Sequence, residues 1–105
     1  MQELTHYIGG EHVKGPSGRF ADVFNPATGE VQARVPLASK EEMAKAVAIA
    51  AAAQPAWAAT NPQRRARVMM KYVDLLNREM DKLAETLSRE HGKTLPDAAG
   101  DVQRG

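Results

Sequence analysis

The chain has 105 residues, 43% of them apolar, and a formal net charge of +1 from 14 Lys+Arg against 13 Asp+Glu. That length bounds it to one small domain or less, and the balanced charge leaves no field to draw nucleic acid or an anionic membrane surface. With no cysteine in the sequence, disulfides, thiolate metal sites and a cysteine nucleophile are excluded within these residues.

Aromatic residues make up only 5% of the chain, and much of the apolar share is alanine, which buries little area per residue. A thin core follows, in a piece suited to packing on something else. Met1 to Gly10 lacks a basic stretch followed by an apolar run, and no segment is long and apolar enough to span a bilayer. No membrane association is expected, and a cytoplasmic location is the simplest expectation.

In chain order, Tyr7, Ile8 and Val13 flank Gly9-Gly10, which predicts two short strands joined by a tight turn. After the Gly15-Pro16-Ser17-Gly18 loop, Phe20, Val23 and Phe24 form a second apolar run that ends at the turn Asn25-Pro26-Ala27-Thr28-Gly29. Val31, Ala33 and Val35 alternate with Gln32 and Arg34, predicting a half-buried strand that stops at Pro36. Residues 1–37 therefore read as short antiparallel strands.

From 39 to 105 the period becomes helical. Ser39 and Glu42 form a capping box, and Met43, Ala46, Val47 and Ala50 follow at helical spacing up to Pro55, where the helix is expected to end or kink. Trp57, just beyond, reads as an anchor plugging that helix end into the core. A second box, Thr60 with Gln63 and with Pro62 in the first turn, opens a helix whose stripe Val68, Tyr72, Leu75 and Leu76 should face a core. Met80, Leu83 and Leu87 extend the stripe past a break near Glu79, and Gly92 closes it as a left-handed cap after Arg89 and His91. Thr94, Pro96 and Asp97 start a last helix that is expected to be cut short at Gly105.

Few of these residues carry chemistry. His6, His12 and His91 lack metal-ligand spacing, and no metal is expected. Gly9-Gly10 precedes strand residues, so it is a turn and not a phosphate cradle. The basic cluster Arg64, Arg65, Arg67 and Lys71 has no interleaved aromatics and reads as a solvated face. Asp97, Asp101 and Arg104 share one helix face. The plain reading is an Asp101–Arg104 surface pair, and the functional one is an arginine whose fork receives a carboxylate.

The succession YIGGEHV, FADVFNPATGEVQARVPLAS, an alanine-rich helix ending in PAWAAT, and RRARVMMKYVDLLNREMDKLAETLSREHGKTL resembles the opening of the aldehyde dehydrogenase family. The ending GKTLPDAAGDVQRG is similar to its CoA-acylating methylmalonate-semialdehyde branch, where GKT, DA, GDV and RG recur in this register. The resemblance implies an α+β fragment, short strands followed by three to four helices, forming the front of a Rossmann-like NAD domain in a larger oligomeric enzyme.

That enzyme would use NAD and coenzyme A. A cysteine thiolate would attack the aldehyde and CoA would resolve the thioester, giving propionyl-CoA from methylmalonate semialdehyde, with loss of bicarbonate, or acetyl-CoA from malonate semialdehyde, as in valine and inositol breakdown. No catalytic and no cofactor-binding residue is assigned within residues 1–105, which by themselves would be inactive. One position carries over. The helix after GKTL lines the tunnel through which the aldehyde passes, and Arg104 falls where relatives have an apolar residue, so Arg104 is the expected substrate-binding residue. The expected partners are the rest of the enzyme or further copies of the chain. Two alternatives remain open, a CoA-independent semialdehyde dehydrogenase and a stand-alone helical module that self-associates through the Val68–Leu87 stripe.

Overall fold

The computed structural model describes residues 1–105, as five short strands followed by four helices. The chain divides into two compact units: residues 1–23 with 31–60, and residues 24–30 with 61–105.

In the first unit, β2 (His6–Ile8) and β3 (Glu11–Val13) pair antiparallel, with Tyr7 opposite His12. Gly9 and Gly10, at φ 64° and 82°, make the turn, a backbone that two glycines adopt without Cβ strain. The other strands, β1 (Gln2–Glu3), β4 (Phe20–Phe24) and β5 (Val31–Pro36), form a sheet ordered β1-β5-β4. β1 runs parallel to β5, with Gln2 beside Ala33 and Glu3 beside Arg34, so the strands are not uniformly antiparallel as expected. Two residues are too few to show a period, and their partner lies some thirty positions away, so nothing local announces the pairing.

Ala33 and Pro36 of β5 are buried, and the Arg34 guanidinium lies over the Phe20 ring at 4.5 Å. Pro36 also accounts for Gly15, where a Cβ would stand 2.6 Å from the Pro36 Cβ.

Helix α1 (Lys40–Ala59) begins at the anticipated capping box: the Ser39 hydroxyl accepts from the Glu42 N–H at 3.1 Å, and the Glu42 carboxylate accepts from the Ser39 N–H at 3.1 Å. It continues through Pro55, so of the two expectations there the helix does not end. Proline removes one helical bond, but residues 50–59 are exposed, and water can satisfy the carbonyl left over. Trp57 therefore sits inside the helix, 44% exposed, and is not the buried plug the sequence suggests.

Thr60 closes α1 by donating its hydroxyl to the Ala56 carbonyl at 2.8 Å. The cap of α2 (Pro62–Arg78) falls instead to Asn61, whose side-chain oxygen accepts from the Gln63 N–H at 2.8 Å. Asparagine is at least as good a cap as threonine, and Pro62 takes the first helical position in either case.

In the second unit, α2 meets α3 (Met80–His91) at Glu79, and α3 meets α4 (Leu95–Arg104) across Gly92. The stripe on α2 does not face a core here: Val68 is 54% exposed and Tyr72 53%. The buried apolar residues are Ala33, Pro36, Ala84 and Ala98, so the core is as thin as the composition implies.

Gly92 has φ 89°, and a Cβ there would lie 2.9 Å from Pro26 Cγ. The Asn25–Gly29 turn thus supports the end of α3 as well as reversing the chain, its own shape held by the Asn25 side chain accepting from the Ala27 N–H at 2.9 Å. Gly18, at φ 73°, has nothing within 4 Å of a virtual Cβ. Gly92→Ala is expected to lower stability by roughly 2–4 kcal/mol, backbone strain plus the clash with Pro26, against about 1–2 kcal/mol of strain alone for Gly18→Ala. Thermal denaturation of the two variants side by side checks the difference.

Candidate functional site

A charged cluster that joins three side chains lies at the end of α4. Its position follows from the segment before it. Gly92 turns the chain in the left-handed conformation, Lys93 follows, and Thr94 caps α4 by accepting from the Asp97 N–H at 3.4 Å. Leu95 and Pro96 occupy the first turn, where proline's missing N–H costs nothing. Helices α3 and α4 pack on each other, and each buries one small residue, Ala84 of α3 at 4% exposure and Ala98 of α4 completely. Short side chains at such a contact permit close approach and leave little room for rocking.

Asp101, one turn before the end of α4, accepts from two cations: Lys93 Nζ on Oδ2 and Arg104 Nη2 on Oδ1. Asp101 is 35% accessible, Lys93 23% and Arg104 73%, so the arginine is the member that reaches into solvent. The hydrogen bond from Lys93 first, then that from Arg104, hold the Asp101 carboxyl below the ordinary aspartate range. The guanidinium also lies across Gly100, where a Cβ would be 3.4 Å from Nη1 and 3.9 Å from Nη2.

Of the residues the sequence placed on one face, Asp101 and Arg104 come together as expected, while Asp97 takes no part in the ion pairs and serves only the helix start. Lys93 was missed. It lies outside the helix, eight residues from Asp101, where no helical spacing rule applies. Two of the histidines have neighbours of their own: His6 Nε2 faces Glu42 Oε2 at 3.7 Å, and His12 Nδ1 bonds the Thr5 hydroxyl at 2.9 Å.

Residues 12–105 match the aldehyde dehydrogenase family. The chain belongs to this family. It is 48% identical over its whole length to a malonate-semialdehyde dehydrogenase of Pseudomonas aeruginosa, covering 21% of that protein. It is also 48% identical over 97% of its length to an acylating mitochondrial methylmalonate-semialdehyde dehydrogenase of Arabidopsis thaliana, covering 17% of it. Among solved structures, an enzyme of Sinorhizobium meliloti described as a methylmalonate-semialdehyde dehydrogenase, complexed with NAD, superposes with a TM-score of 0.95 and 64% identity over 99% of this chain and 21% of that one. The chain thus spans about a fifth of the length of the relatives it matches, and its strands and helices correspond to the N-terminal region of aldehyde dehydrogenase structures.

A bound dinucleotide rests its pyrophosphate on a glycine turn between a strand and a helix N-terminus. The glycine pair of this chain joins two strands, and a Cβ on Gly9 would already be 3.3 Å from Ile49 Cγ2. The Gly9-Gly10 turn is therefore not a dinucleotide cradle.

Because the Asp101 carboxyl is depressed in the folded protein, its contribution to stability is present above the ordinary aspartate value and is lost as pH falls through the lowered one, that is, only in acid. In an NMR titration of the Asp101 carboxyl, the midpoint is expected below that of an exposed aspartate. Lys93→Met should raise it further than Arg104→Leu does, following the order of the two causes.

Proposed function

We propose that this chain is the N-terminal segment of an NAD-dependent oxidoreductase that converts malonate or methylmalonate semialdehyde, with coenzyme A, to acetyl-CoA or propionyl-CoA, the substrate carboxylate leaving as bicarbonate. The observation that carries the substrate class is the end of α4, where Arg104 projects into solvent from a cluster of two cations and one carboxylate. The reaction named for the relatives supplies its chemistry: each of their substrates bears a carboxylate beside the aldehyde. A planar guanidinium receives such a group on two parallel N–H bonds, which fixes both distance and angle.

In this reading Arg104 lines the path of the aldehyde and binds the substrate carboxylate, while the aldehyde end points away toward the reacting groups. NAD accepts the hydride and coenzyme A accepts the acyl group, both held by residues outside 1–105. The chain therefore turns over no aldehyde alone. A neutral aldehyde offers no carboxylate to the guanidinium donors that Asp101 leaves free, and is disfavoured for that reason.

We further propose that the exposed apolar residues of α2, among them Val68, Met69, Tyr72 and Val73, meet the rest of the enzyme, and that the isolated chain covers them by self-association. Light scattering on the isolated chain is expected to show oligomers; a monomer at high concentration would count against this.

In the complete enzyme, Arg104→Leu is expected to raise the KM for malonate semialdehyde by about 10- to 100-fold, the loss of a charge-assisted pair, with a far smaller change for propanal. An equal loss on both substrates would defeat the reading of Arg104. Coenzyme A dependence of thioester formation, followed by mass spectrometry, separates the acylating reaction from a hydrolytic one that releases the free acid.

A further inference from the structure

We propose that Asp101 is a positioning residue for substrate choice: it holds the Arg104 guanidinium against Gly100 and limits the cluster to a single excess positive charge. The inference rests on the reading of Arg104 as the group that receives the substrate carboxylate.

An arginine as exposed as Arg104 is ordinarily free to sample many rotamers, and ordering it when a ligand arrives is costly. Here two contacts order it in advance, and a third holds the carboxylate that makes one of them. Asp101 takes Nη2 from one turn below on Oδ1. Lys93 bonds Oδ2 of the same carboxylate, so a closed, two-bond pair with the guanidinium would have to compete with the lysine for that oxygen. Gly100 then supplies a surface without a side chain, across which Nη1, Nη2 and Cζ lie 3.4–4.0 Å from where a Cβ would be. Glycine inside a helix is disfavoured relative to alanine, and at Gly100 the bare Cα is where the guanidinium lies. Arginine has five N–H donors, and Asp101 takes those of one nitrogen only, leaving donors for a second carboxylate.

The charges point the same way. Lys93 and Arg104 contribute two positive charges and Asp101 one negative, so the cluster carries one charge in excess, the complement of a monocarboxylate. Without Asp101 the cluster would attract any anion more strongly but hold none in a defined place.

Asp101→Asn in the complete enzyme separates these two effects, because it keeps the side-chain volume while raising the excess charge to two. If charge alone mattered, the KM for malonate semialdehyde would fall and kcat would be unchanged. Positioning predicts instead that kcat falls, and that the ratio of kcat/KM for malonate semialdehyde over propanal drops by about tenfold. Gly100→Leu, which keeps every charge but fills the place where the guanidinium rests, is expected to lower the same ratio. If Arg104→Leu leaves the ratio unchanged, the reading of Arg104 fails and this inference with it. If Arg104→Leu lowers the ratio but Asp101→Asn and Gly100→Leu both preserve it, the positioning role alone is overturned.

Discussion

The packing of α3 on α4 is the constraint from which the charged cluster follows. Each helix buries an alanine, Ala98 fully and Ala84 nearly so, and no large side chain is fully buried. Such a contact is reached only if the chain reverses sharply between the helices, and Gly92, in the left-handed conformation with Pro26 against it, provides the reversal. With the turn set, Lys93 falls beside the last turns of α4, within reach of Asp101. A bulkier residue at 84 or 98 would lever α4 outward and move the cluster as a whole.

Features with local causes were legible in the sequence. The Gly9-Gly10 hairpin, the Ser39–Glu42 box, the break at Glu79 and the Gly92 cap each depend on residues within a turn of one another, where steric and hydrogen-bonding rules act directly. The expected end at Pro55 failed because the rule that proline ends a helix assumes its lost bond cannot be replaced, whereas here the helix surface is open to water. Thr60 was misjudged because two adjacent residues could both cap, and α2 starts one residue later, with the Asn61 side chain accepting from the Gln63 N–H. The β1–β5 pairing and the seat of Pro26 on Gly92 join residues far apart in sequence, and no local pattern encodes them.

The candidate site shows the same division. Arg104 and Asp101 were visible as an i, i+3 pair, a spacing that more often marks a surface contact than a ligand site. Lys93 and Gly100 turn that pair into an ordered cluster, and neither shows it in sequence. Lys93 lies beyond the helix start, and Gly100 reads only as a weak point in a helix until the guanidinium is seen lying across it.

An arginine that recognises an anion faces two opposed requirements. It must keep donors free, yet it must not wander, and an isolated exposed arginine meets only the first. A single carboxylate partner free to rotate would satisfy the guanidinium too well, closing it into a two-bond pair that a ligand must first break. The arrangement at the end of α4 avoids both outcomes because the restraining carboxylate is itself restrained: Lys93 bonds one oxygen, and a two-bond pair with Arg104 would have to compete for it. In a segment whose core is little more than alanine, apolar packing has few large side chains with which to fix a surface residue. Precision at this helix end therefore comes from polar contacts arranged in series, the lysine holding the aspartate and the aspartate holding the arginine.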